Sequence, residues 1–230
     1  MCTLTYIPIT EREFIFTTNR DEDPRRIACA PEKYLHGGVE LTYPKDSKAK
    51  GSWIISNGKD VTLCLLNGAF ERHPRKSKYR QSRGLMLLDF FHFSSLEDFI
   101  DNYQFEGMES FTLVIVENKP ETVLTEIKWN EKELLVINLP NSHAHIWSSS
   151  TLYTAEMRAE RAAWFWKWLD EKPHIDPDSV LNFHKTGGAG NLEYGLFMNR
   201  ENRVRTLSIT QILGGERRHN MLYYDFLDEK

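Results

Sequence analysis

Cysteine is scarce in this sequence: Cys2, Cys29 and Cys64 are the only three in 230 residues. An odd set with no Cys-x-x-Cys spacing argues against a disulfide framework and against a cysteine-built zinc site, and leads us to expect a reducing, cytoplasmic compartment. Long apolar runs are missing too. No stretch approaches the roughly 20 residues of a membrane span, and the opening MCTLTYIPITEREF lacks the basic start and unbroken apolar run of a secretory leader. There is no excess of positive charge. With 33 acidic and 29 basic residues the formal charge is −4, which removes any global reason to gather on nucleic acid or an anionic membrane. The sequence shows no internal repeat and no low-complexity segment. The expected partner is therefore a small-molecule substrate or ligand, with no nucleic acid, membrane span, metal or cofactor; a homo-oligomer is left open.

What is present suits an ordinary folded protein: 40% hydrophobic, 27% charged and 12% aromatic residues. The length fits one long domain over 1–230 with a substantial core. Alternation over 3–8 and 13–18 predicts a hairpin at the N-terminus, so that Cys2 begins a strand. The region through residue 51 reads as a loop with short edge strands. Apolar runs on both sides of Asn57-Gly58 predict a second hairpin with a type I′ turn. Helical spacing from Arg83, interrupted by Ser94-Ser95 as a cap, predicts a helix pair. Residues 111–128 and 133–147 read as three or four strands, Thr154–Leu169 as a helix, and VRTLSITQIL with MLYYDF as closing strands. The order strands, helices, strands, helix, strands lacks βαβ alternation and predicts a layered α+β architecture.

Position 2 is where chemistry concentrates. Removal of Met1 before a small residue leaves a thiol and an α-amine on one residue, with ordinary pKa values near 8.5 and 7.7–8.0, so that the amine can take the thiol's proton. Asn19-Arg20-Asp21-Glu22 end the second strand and begin a loop. In an antiparallel hairpin they return to the height of Cys2. There Arg20 would favour thiolate, and Asp21 would orient the amine.

Met-Cys at the start, TNRDE at 18–22 and the downstream WI…CLLNG resemble the NRDE family, also called the transport and Golgi organisation family. At longer range the chain is similar to the choloylglycine hydrolase and penicillin V acylase group of N-terminal-nucleophile hydrolases. The resemblance runs from Cys2 to about residue 210. It implies a four-layer αββα sandwich with two stacked antiparallel sheets, and opening of a carbon–nitrogen amide bond through an acyl-thioester. By position, Cys2 matches the nucleophile and Asp21 the aspartate that contacts its amine and thiol. Asn67 matches the oxyanion-hole asparagine, a donor suited to developing negative charge. Arg205, in RVRTLSIT, resembles the late-strand arginine that would stabilise the thiolate or a substrate carboxylate. Thr18 stands where the acylases carry an arginine, and Arg20 is supplied beside Asp21 instead.

Asn19 and Ser149 are candidate substrate contacts. Ser149 occupies the place where the family usually has asparagine, which removes an amide donor. The basic run containing Arg72 and Arg75 would meet an anionic substrate or phosphate-bearing ligand, against the alternative of an exposed charged loop. The aromatic stripe Trp164, Phe165, Trp166 and Trp168 reads as core packing, and Cys64 as a small buried hydrophobe. The rival to an amidase is a non-catalytic protein that binds or carries a hydrophobic or anionic metabolite in the same cleft. The resemblance implies lipid, acyl-CoA or haem, as is suggested for eukaryotic NRDE proteins.

Overall fold

The computed structural model describes residues 3–172, 174–215 and 219–227. Its first strands, β1 (Thr3–Pro8) and β2 (Phe14–Glu22), form the N-terminal hairpin in the register Thr3 with Asn19 through Pro8 with Phe14. The hairpin joins β12 (Val204–Gly214), which pairs along β2 from Glu22 to Phe14, and β10 (His145–Ser148), which pairs on the other side of β1. Strands β11 (Asn199–Arg200) and β13 (Asn220–Asp225) flank β12 and complete a six-stranded antiparallel sheet. A second, seven-stranded antiparallel sheet runs in chain order: β3 (Ala28–His36), β4 (Val39–Asp46), β5 (Ile54–Ser56), β6 (Val61–Asn67), β7 (Phe111–Asn118), β8 (Thr122–Trp129) and β9 (Leu134–Leu139).

The pleat decides what each sheet buries. Leu4, Tyr6, Phe14 and Phe16 point from the first sheet toward Ile54, Cys64, Leu66, Val114 and Val116 of the second, and form the core between the sheets. The intervening Ile7 and Ile15 point the other way, against Phe165 of α3 (Ala155–Glu171) and Val180 and Phe183 of α4 (Pro177–Thr186). On the far side, Leu63, Leu65, Leu113 and Ile115 of the second sheet pack against α1 (Arg83–Asp89) and α2 (Leu96–Asn102). The layers are helices, sheet, sheet, helices. Among the described residues no helix is long and apolar enough to cross a membrane.

The helix starts follow from their caps. Ser95 accepts from the Asp98 N–H at 3.1 Å, and Thr154 from the Met157 N–H at 3.3 Å. Three expectations are corrected. Residues 28–46 form two long strands rather than short edges, joined at Gly37 and Gly38, both with positive φ; β3 is largely exposed on both faces, so no apolar alternation marks it. The turn after β5 is not type I′: only Gly58 has positive φ, and Asn57 Oδ1 accepts from the N–H groups of Lys59, Asp60 and Val61 at 2.9–3.0 Å, closing a longer loop. Trp166 is 47% exposed, so it is not core: its ring touches Phe165 at 5.1 Å between centroids but remains open to solvent, whereas Phe165 is fully buried.

Candidate active site

Asn19 to Glu22 lie in β2, not in a loop, because the strand has partners for polar side chains on both faces. The odd residues face the helices. Asn19 Nδ2 donates to the carbonyls of His184, at 3.1 Å, and Leu196, at 2.7 Å, which turns its Oδ1 to His184 Nδ1. That contact makes Nδ1 the protonated nitrogen and leaves Nε2 to accept from the Thr5 hydroxyl at 2.8 Å. Asn19 is fully buried in this network and is not among the residues lining the cleft described below.

Burial, with Arg161 as a second cause, pushes the pKa of His184 down to about 3. The unfolded ring accepts a proton near pH 6.5 and the folded ring does not. Stability from this group is therefore whole above pH 6.5 and falls as pH drops toward 3, by up to about 1.4 kcal/mol per pH unit. Urea unfolding from pH 7.5 to 4.5 should show this slope in the native protein and its loss in His184→Gln; parallel curves would remove the idea.

Asp21, also facing the helices, is 3% exposed. Its carboxylate accepts from the Tyr153 hydroxyl at 2.7 Å and from the Thr206 hydroxyl at 2.6 Å. The Tyr153 ring in turn carries the Arg161 guanidinium, 3.9 Å from its centroid, and Arg161 donates to Thr3 Oγ1. These contacts join the start of β1, β2, β12 and α3 around one acid.

Arg20 faces the second sheet and is 4% exposed. It donates to the Arg26 carbonyl at 2.7 Å, meets Asp46 at 3.3 Å, and stacks 4.8 Å from the Trp53 ring centroid. Desolvation lowers its pKa, opposed by Glu22 and Asp46. It opens onto a cleft of about 670 Å³ whose lining includes Trp53, Leu65, Asn67, Arg75 and Arg83.

Asn67 ends β6, and the chain leaves it through Gly68 at φ +81°, where a Cβ would fall 2.2 Å from Ser150 Oγ. Only glycine fits that turn. Ser149, 1% exposed, donates to the Asn67 carbonyl at 2.8 Å, so it holds the backbone of Asn67 and does not line the cleft. Arg75 lines the cleft, while Arg72 is exposed and does not. Arg205 is turned to the C-terminal segment, donating to the carbonyls of Phe226, at 3.2 Å, and Leu227. It too is absent from the lining.

Cys2 lies outside the described residues. Of the other thiols, Cys64 is fully buried and burial pushes it up to about 12, whereas Cys29 is exposed. Sequence reasoning missed Tyr153, Arg161, His184 and Thr206. The signal for α4, which carries His184, was available as Asp176-Pro177-x-Ser179, a capping box with proline in the first turn.

Two stacked antiparallel sheets between outer helices are the fold of the N-terminal-nucleophile hydrolases. The chain superposes on the Caenorhabditis elegans N-acylethanolamine-hydrolyzing acid amidase ortholog with a TM-score of 0.62 at 12% identity, covering 96% of this chain and 100% of that one. It superposes on a variant of the conjugated bile acid hydrolase of Clostridium perfringens with a TM-score of 0.55 at 12% identity, covering 100% and 94%. At such identities the likeness is one of fold. No curated protein sequence matches the chain. The family described as Transport and Golgi organisation 2 matches residues 1–179, and the chain belongs to it.

Proposed function

We propose that the protein is a cysteine amidohydrolase acting on a carbon–nitrogen bond of a small molecule, as a single cytoplasmic domain over 1–230. The observation that carries this reading is the buried Asp21, held by Tyr153 and Thr206, in the strand register that pairs Thr3 with Asn19. Thr3, the first described residue, is thus paired two residues from Asp21 along β2, and Arg20, next to Asp21, opens onto the cleft that contains Asn67.

In this reading the α-amine of Cys2, freed by loss of Met1, takes the thiol proton. The thiolate attacks the amide carbon and forms the C–S bond, and the Asn67 side chain donates to the oxyanion. The protonated amine delivers its proton to the leaving nitrogen as the C–N bond breaks. Water then opens the thioester, releasing the acid and restoring the thiol. Asp21 orients the amine, and Arg20 favours the thiolate.

A thiol-directed acylating probe, followed by mass mapping, tests the assignment. The adduct is expected on Cys2 of a chain that has lost Met1. Labelling confined to Cys29 would count against it, and Cys64 lacks the thiolate to compete.

The second reading is a carrier that binds a metabolite in the same cleft without turnover. Ser149 favours it, since the side chain at that position supplies no amide donor and is spent on the Asn67 backbone. Binding that survives Cys2→Ala, with no turnover by the native protein across an amide panel, would select it.

A further inference from the structure

The cleft beside Arg20 has a charge opposite to that of the whole chain. Among the described residues, seven basic side chains and three carboxylates line it, leaving four positive charges in excess, whereas the chain carries a formal −4. The carboxylates are already shared. Asp46 serves both Arg20, at 3.3 Å, and Arg26, at 2.8 Å. Glu109 faces Arg83 at 3.2 Å, Arg75 at 3.9 Å and His73 at 3.7 Å. Among the described residues, Lys48 and Arg80 have no carboxylate within ion-pair distance.

Two of these cations are held out of water. The side chain of Arg20 is 5% exposed and that of Arg83 14%. Loss of solvent lowers the pKa of Arg83 to about 10 and also lowers that of Arg20. Buried guanidinium groups with only part of a carboxylate each favour an incoming anion over water.

The lining also excludes some ligands. Among the described residues of the lining, Leu65 is the one large aliphatic side chain and Trp53 the one indole; both are buried, the Trp53 ring is covered by Arg20, and its N–H is a polar donor without a partner of its own. An acyl chain or a macrocycle would need the mostly apolar walls typical of hydrophobic ligand pockets. A volume of about 670 Å³ is the scale of a small molecule.

We propose that this cleft binds a small, hydrophilic, multiply charged oxyanion, bearing phosphate or several carboxylates, through Lys48, Arg75 and Arg80 together with the buried Arg20 and Arg83. The inference rests on the reading that the ligand enters beside Asn67, and it narrows that ligand to a polar anion rather than a lipid or haem.

Calorimetric titration of the full chain with inorganic pyrophosphate and, separately, with citrate, at matched ionic strength, tests it. One-site binding of at least one is expected. The tighter of the two identifies phosphate or carboxylate as the group recognised. The double variant Lys48→Glu/Arg75→Glu, altered at exposed positions, should weaken that binding by about tenfold or more. The charge-matched control Lys59→Glu/Lys167→Glu, outside the cleft, should change it by less than about twofold.

Absence of saturable binding by both anions, or equal weakening by the two double variants, overturns the inference. Its failure is separable from that of the amidase reading. Turnover of an uncharged amide by native protein that binds neither anion would remove the anion site alone. Anion binding without turnover would remove the hydrolase alone.

Discussion

Cys2→Ala is expected to lower kcat/KM by about 10³-fold or more toward any amide that the native protein hydrolyses, because it removes nucleophile and bond-forming atom together. The control is Cys29→Ala, which deletes the one exposed thiol among the described residues and does not touch the cleft; its rate should match that of the native protein. Steady-state kinetics on purified variants decides the matter. Activity retained by Cys2→Ala, or lost by Cys29→Ala, would end the N-terminal-nucleophile assignment. An acyl adduct trapped on native protein and absent from Cys2→Ala gives the same answer without dependence on the choice of substrate.

The largest stability effect is expected at Asp21. Replacing it with alanine leaves the hydroxyls of Tyr153 and Thr206 without this acceptor, at buried positions in α3's neighbourhood and in β12. Loss of the Tyr153 bond to a charged acceptor costs about 1.5–3 kcal/mol, and loss of the Thr206 bond less, since the Leu196 carbonyl lies 3.3 Å away as a second acceptor, so a total near 3 kcal/mol is expected. For a chain of this length that lowers Tm by about 6–12 °C. Asp21→Asn keeps one carbonyl acceptor and should fall between Asp21→Ala and native protein. Scanning calorimetry on the three proteins checks the order; an Asp21→Ala variant as stable as native would mean that this acid is not what joins the elements around it.

The N-terminal hairpin and the helices capped by Ser95 and Thr154 were legible because their determinants are local, whereas the β3–β4 hairpin and α4 were missed. The alternation of TLTYIP and FIFTT, Ser95 before Asp98 and Thr154 before Met157 each act within a few residues. Arg20 and Asp21 were legible as candidates through a short motif. Their surroundings were not. The strand continues through Asn19–Glu22 because polar side chains there find His184, Tyr153 and Thr206, which lie 132 to 185 residues away in sequence. No window of sequence contains both ends of such a contact. Likewise, nothing near Arg205 announces that its guanidinium is taken up by the carbonyls of Phe226 and Leu227. Ser149 could be identified as a departure from the family pattern. That its hydroxyl braces Asn67 across 82 residues required the fold.

The pairing of β2 with β12 has a consequence for synthesis on the ribosome. One edge of β2 is met by β1 within the first turn of the chain, but the other waits for Val204–Gly214. Until those residues emerge, the nascent protein presents an open strand edge carrying a charged pair, Arg20 and Asp21, next to phenylalanines 14 and 16. Completion of the first sheet is thus a late, long-range event, and translation that stops short of Val204 yields a species poised to aggregate rather than a smaller folded protein.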